Sequence, residues 1–282
     1  MLDFEHLKGM LWGLVVGDCI GSPIQFSSKD HHRIISGMEP AVGVYGVDFP
    51  AGYWTDDSSM AFCVMESLIR LKRYDLQDIA NNFVKWLENG FMSSWERGAF
   101  DVGGATYHAI RGIQQGMLKN GNDSTQGNGS IMRFAPGFIW SLATHCPNIN
   151  EEISDLTHNS PAIRGLVRQI SEKLTSLLNG DKSVIHSTHT RESVPNSGWA
   201  FATVEAAYWA LCHFDSFREG MLAAVNLGGD SDSIGAVYGQ LAGAYYGFSA
   251  IPEEWIRQVK NWQWVDSFID DFLKLADAKS SS

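Results

Sequence analysis

Eight glycines, set four residues apart in two short segments, constrain this chain more than any other feature. They are Gly9, Gly13, Gly17 and Gly21 near one end, and Gly235, Gly239, Gly243 and Gly247 near the other. On a helix, that spacing lines the glycines up as one shallow ridge. Each interior glycine costs on the order of 1 kcal/mol relative to alanine, so two full ridges need a compensating gain. Close approach of two helix backbones supplies it, and the pattern predicts that these two helices cross in the core.

The remainder also reads as helix after helix, separated by Gly, Asn, Ser and Pro clusters, with few alternating β-branched runs. Met60, Cys63, Val64, Leu68 and Leu71 recur at helical spacing over 59–73, and Ile79, Phe83, Val84 and Leu87 over 76–88. The same period runs through 162–178, 199–213 and 253–276, the last read as one continuous helix. An all-α bundle is expected. The loop stretches 26–53, 117–130 and 183–197 contain no clear interdomain linker, so 1–282 is read as a single domain, with 278–282 as a frayed tail.

Composition narrows the function classes. With 282 residues, 44% of them hydrophobic, the chain can bury a large core without an external staple. Cys19, Cys63, Cys146 and Cys212 are scattered without CxxC spacing, which suits a reducing cytoplasm better than a disulfide or zinc framework. The apolar run 10–20 is interrupted by Asp18, has no basic leader, and is too short to span a membrane. A net charge of −11 disfavours nucleic acid and anionic membranes as partners. An anionic nucleotide ligand would need cations or backbone amides to hold it. A monomer is the default expectation.

Two clusters of oxygen donors stand out. Trp54-Thr55-Asp56-Asp57-Ser58 precedes an amphipathic helix, and Gly228-Gly229-Asp230-Ser231-Asp232-Ser233 precedes the second glycine-ridged one. Taken alone, each reads first as a helix cap, because carboxylates and hydroxyls at helix N-termini are common and stabilising. Together they hold more oxygen donors than two caps use, all of the hard kind Mg²⁺ or Mn²⁺ prefers. Meeting across the top of a bundle, they could form a binuclear site. Gly127-Asn128-Gly129-Ser130, followed by Met132 and Arg133, is a turn whose amides suit a pyrophosphate, though such a segment is more often only a turn and Arg133 more often a structural partner. Asp18 sits on a buried ridge and is expected to bond an interior donor. Asp101 could cap its helix or bind a ribose. His158 could stack on a ligand or stand behind a metal, though a lone histidine usually does neither. His186 and His189 lack companion ligands and are discounted.

In order along the chain, these segments resemble the ADP-ribosylglycohydrolase family: Gly17-Asp18-Cys19-Ile20-Gly21-Ser22-Pro23, Trp54-Thr55-Asp56-Asp57-Ser58, Phe100-Asp101-Val102-Gly103, Gly127-Asn128-Gly129-Ser130-Ile131-Met132-Arg133, Thr157-His158, and Gly228-Gly229-Asp230-Ser231-Asp232-Ser233. The resemblance implies an orthogonal all-α fold with a binuclear site for two divalent cations, Mg²⁺ or Mn²⁺, at the ends of core helices. By that likeness Thr55, Asp56, Asp57, Asp230, Asp232 and Ser233 are the metal ligands. Gln25, Asp101, Gly103, the turn Gly127, Asn128, Gly129 and Ser130, Met132 and His158 contact ADP-ribose.

The activity implied is release of ADP-ribose from a modified protein or a small conjugate, with Asp56, Asp57 and Asp232 as catalytic carboxylates and Asp57 favoured as the base. Three departures from the family pattern matter. Gln25 stands where many relatives carry Glu, and Gln cannot act as a base, so a non-catalytic ADP-ribose-binding module is the competing reading. Ser58 and Ser233 stand where Thr is usual and keep the hydroxyl.

Overall fold

The glycine ridges meet as α1 (Phe4–Gly21) and α10 (Ser231–Tyr246), which run antiparallel with their backbones in contact. A Cβ built on Gly13 would lie 2.1 Å from the Gly239 carbonyl oxygen, and one on Gly17 would lie 2.0 Å from that of Gly235. Gly9 faces Gly243 in the same register, and Gly21 faces Ser231. The expected crossing is therefore a sustained side-by-side contact over four helical turns. Gly247 closes the ridge: its backbone still abuts Gly9, and at φ +82° it ends α10, a conformation glycine adopts without steric cost.

This computed structural model describes residues 2–29 and 33–280, and twelve α-helices and three short 3₁₀ turns lie among them, with no strand. The central pair is buried nearly all round, which explains why neither helix has a polar face to show. Packed against it are α2 (Asp56–Leu71), α5 (Ala135–Thr144), α7 (Pro161–Leu178), α8 (Ala200–His213), α9 (Phe217–Val225) and α12 (Trp262–Ser280). The amphipathic α3 (Leu76–Asn89), α4 (Gly104–Ile113) and α6 (Ile149–His158) form an outer layer over α2, α5 and α7. Trp12 Nε1 donates to Asp266 Oδ1 at 3.0 Å, and Lys8 pairs with Asp266 and Asp270, tying α1 to α12.

The segment 253–276 is not one helix. It breaks after α11 (Glu253–Gln258), and Asn261 takes φ +52° before α12 begins. The break comes from a distant contact: the amide of Lys260 donates to the Gly52 carbonyl at 2.9 Å, and Gly52 presses on the Gln258 carbonyl so closely that a Cβ would sit 1.9 Å from it. No local periodicity records such a contact.

Part of the expected frayed tail is helical among the described residues. Ala278, Lys279 and Ser280 continue α12, held by the Leu2 amide on Asp277 Oδ1 at 2.8 Å and by the Ser280 hydroxyl on the Asp277 carbonyl. Ser281 and Ser282 lie outside the described residues. No described helix is long and apolar enough to cross a membrane, and all four cysteines are free thiols.

Candidate active site

α1 delivers Asp18 beneath the start of α2. Its carboxylate accepts the Thr55 amide at 3.0 Å, the Ser58 amide at 3.0 Å and the Ser58 hydroxyl at 2.6 Å. A side chain from another helix thus satisfies the N–H groups that a cap would take, while Thr55 Oγ1 accepts the Asp57 amide at 3.4 Å. Asp56 and Asp57 are left free of capping. The same holds at α10, where Asp230 occupies the cap position without a side-chain cap bond. Thr55 thus caps α2, while Asp56, Asp57 and Asp230 take no cap bond and are left for other work.

The two acidic clusters face each other where α2 and α10 begin. Ser233 Oγ lies 3.4 Å from Asp57 Oδ2, and Thr55 Oγ1 donates to the same oxygen at 3.2 Å. Asp232 Oδ1 accepts the Ser233 amide at 2.9 Å. Asp57 Oδ1 and Asp232 Oδ2 are buried with no hydrogen-bond partner. Asp101 joins them from the loop before α4, held at φ +58° and within hydrogen-bonding reach of Asp232 and Gln25. Gly103, not Asp101, occupies the cap position of α4, so the capping reading of Asp101 falls.

Gln25 arrives from the other side. The Phe26 amide donates to the Gly229 carbonyl at 2.6 Å and the Gly229 amide to the Ser27 carbonyl at 2.7 Å, clamping the two loops together. Gln25 Nε2 then donates to Asp230 Oδ1 at 3.1 Å, and Asn128 Nδ2 donates to Asp230 Oδ2 at 2.5 Å. Both oxygens of Asp230 are engaged by amides, unlike those of Asp57 and Asp232. Gln25 Oε1 is buried and unpartnered.

The charge balance is unusual. Burial pushes Asp56, Asp57 and Asp232 well above the usual carboxylate range, and neighbouring carboxylates push them further. Burial also lifts Asp18 and Asp101 to about 6, even though hydrogen bonds to Asp18 oppose it. Buried carboxylates facing one another, with bare oxygens, are what a divalent cation relieves. Carboxylates and hydroxyls are the right donors for Mg²⁺ or Mn²⁺. Among the described residues no three carboxylate, imidazole or thiol groups converge tightly enough to cage an ion as they stand. The donors fit a cation in kind, and two of their oxygens lack any other partner.

Above the carboxylates opens a cleft of about 660 Å³. Of the residues singled out in the sequence, Gln25, Asp56, Asp101, Gly103, Gly127, Asn128, Gly129, Met132, His158, Asp230 and Ser233 line it. Thr55, Asp57 and Asp232 lie deeper, at the floor. Ser130 is different: its hydroxyl is engaged with Ser154 Oγ at 2.9 Å and the residue does not line the cleft. The turn does not feed directly into a helix either, since α5 begins only at Ala135. The Asn128 amide bonds the Gly198 carbonyl, and the Ile131 and Met132 amides bond the Asn128 carbonyl. Those of Gly129 and Ser130 have no backbone partner among the described residues. Sequence reasoning missed Phe26, Tyr45, Phe100, Thr106 and Gly198 in the lining. Phe26, at φ +65° and 67% exposed, is the one with a sequence signal, an aromatic directly after Gln25.

These features belong to a known family. The ADP-ribosylglycohydrolase family model matches residues 2–282, so the chain is a member of that family of glycosidic-bond hydrolases. It is 33% identical to an ADP-ribosylarginine hydrolase Tri1 of Pseudomonas putida (strain GB-1), covering 90% of this chain and 74% of that one. It is 32% identical to the protein of the same name in Serratia proteamaculans (strain 568), covering 97% and 80%. A solved structure described as an ADP-ribosylglycohydrolase-related protein complex superposes with a TM-score of 0.82 at 28% identity, over 96% of this chain and 98% of that one.

Proposed function

We propose that this chain hydrolyses the glycosidic bond joining ADP-ribose to a modified side chain or small conjugate, with a pair of divalent cations held by Thr55, Asp56, Asp57, Asp230, Asp232 and Ser233. The observation that carries this reading is the pair of bare, buried oxygens, Asp57 Oδ1 and Asp232 Oδ2, where the two acidic helix starts meet. When bound, such cations polarise ribose hydroxyls and make water a better nucleophile. The names of the two relatives above 30% identity favour an arginine-linked substrate.

The residues divide by position. Gly129 and Ser130 offer amides to the diphosphate, with Gly127 and Asn128 shaping the turn, while Gly103 and Met132 bound the ribose and nucleotide. Asp101 hydrogen-bonds ribose hydroxyls. Asp57, whose Oδ1 like Asp232 Oδ2 has no hydrogen-bond partner, is the carboxylate we favour to accept the proton of the attacking water, while Asp56 and Asp232 hold the developing charge. His158 is buried and neutral, its imidazole pushed down to about 3 by burial and then by the Arg133 charge, so it is a hydrogen-bonding group and not an acid.

A second reading has its own support. Gln25 is committed as a donor to Asp230 and cannot take a proton, so a module that binds ADP-ribose without cleaving it is the alternative. A Mn²⁺ titration read by water proton relaxation, with and without ADP-ribose, tests the shared basis of both. Tight uptake by the wild type, weakened in Asp57→Asn, is expected; absence of uptake by the wild type contradicts the metal assignment.

A further inference from the structure

Arg133 has an occupation that neither the metal site nor the nucleotide turn explains. It is 2% exposed, near the carboxylate floor, and no carboxylate pairs with it among the described residues. Its guanidinium lies over the Phe83 ring at 4.8 Å, and one terminal nitrogen donates to the Gly129 carbonyl, bracing the nucleotide turn from beneath. The other, Nη2, donates to Thr157 Oγ1 at 2.7 Å. Thr157 Oγ1 in turn lies 2.8 Å from His158 Nδ1.

The donor inventory settles the direction of that chain. A guanidinium has only donors, so Thr157 Oγ1 accepts from Arg133. The hydroxyl carries one hydrogen, and the acceptor in line for it is His158 Nδ1. Were Nδ1 protonated instead, the Thr157 hydrogen would be stranded in a buried site at a cost comparable to a lost hydrogen bond. His158 Nδ1 is therefore the acceptor, and the ring proton resides on Nε2. That nitrogen has no protein partner. It looks into the cleft between Gly127 and Gly129, where Cβ atoms would lie 3.4 and 3.2 Å from it.

We propose that Arg133 is a positioning residue: through Thr157 it locks His158 in the Nε2–H tautomer, so that a neutral donor is presented to the diphosphate of ADP-ribose beside the Gly129 and Ser130 amides. The inference rests on the assignment of ADP-ribose to this cleft. It adds an origin for the donor and explains why a positive charge is kept beneath the turn with no carboxylate directly paired to it. A histidine able to swap tautomers would offer the ligand a lone pair for part of the time, and a lone pair facing a phosphate oxygen repels it.

The test separates the relay from the ligand. Long-range ¹H–¹⁵N correlation spectra of the full chain report the His158 tautomer with no ligand present. The wild type is expected as Nε2–H, Thr157→Ser likewise, and Thr157→Val and Arg133→Met as mixtures or Nδ1–H. Calorimetric titration with ADP-ribose is expected to show affinity reduced roughly tenfold in Thr157→Val and restored in Thr157→Ser, the size of one hydrogen bond to a charged group. Wild-type His158 as Nδ1–H, or a tautomer unmoved by both Thr157→Val and Arg133→Met, overturns the relay. If Arg133→Met does not fold, the two Thr157 variants decide alone. An Nε2–H tautomer that shifts as expected in a protein that does not bind ADP-ribose keeps the relay as a structural fact but overturns its presentation to a diphosphate, and with it the ligand assignment.

Discussion

Replacing Gly239 with alanine tests whether the glycine ridge is a true backbone contact. The new Cβ would lie 1.9 Å from the Gly13 carbonyl oxygen and 2.3 Å from its carbon, both backbone atoms that cannot swing away as a side-chain tip could. Relief requires the two helices to part by roughly 1 Å, and overpacking of this kind costs about 3 kcal/mol or more, because the gap propagates along neighbouring turns. The alanine returns about 1 kcal/mol through helix propensity. A net loss of about 2–3 kcal/mol lowers the melting temperature of a domain this long by roughly 5 °C. Gly165→Ala is the control: it lies within α7 with nothing inside 4 Å of the added Cβ, so it should gain about 1–2 °C from propensity alone. Thermal melts followed by circular dichroism read both. A Gly239→Ala melt at or above the wild type would refute the contact, and with it the reason for the spacing.

Other expectations follow from the carboxylate floor. Asp56→Asn and Asp57→Asn should each cut turnover by at least roughly 10²-fold in a kinetic assay, with the fold intact; near-normal activity in both would contradict their roles. In EDTA the protein should melt lower as pH rises from about 4 to about 6.5. Burial raises Asp18 and Asp101 to about 6 in the fold, so the stability they contribute is complete below the unfolded value of 3.8 and lost through about 6. Mg²⁺ or Mn²⁺ should flatten that trend, and a melt rising over the same range without metal would refute it. Gln25→Glu replaces a donor to Asp230 with another carboxylate, so melting in EDTA should fall and cation affinity should rise; unchanged values for both would show that Gln25 is remote from the cations.

The legible parts of the fold were those with a local cost or period. Interior glycines every fourth residue have no reason to exist outside a close contact, so α1 and α10 could be paired from spacing alone, though not their antiparallel register. Asp18 was readable as a buried charge needing donors, but which donors depended on α2 being laid across α1. That same contact decides whether Asp56 and Asp57 are caps, a question no local pattern answers. The break at 259–261 and the lining by Tyr45 and Phe100 arise from loops folded back over distant helices, as does the engagement of Ser130 with Ser154. Arg133 was set aside as a structural partner because its burial and its three-residue chain to His158 are visible only in three dimensions.

The central claim is that this site cleaves ADP-ribose from its attachment with the help of divalent cations. Proton NMR of the purified protein with ADP-ribosylated arginine, following the ribose anomeric signal in Mg²⁺ and again after EDTA, tests it most directly. Conversion to free ADP-ribose that stops on chelation is the predicted result. Anomeric signals that broaden on binding yet never convert would contradict it and leave a binding module in its place.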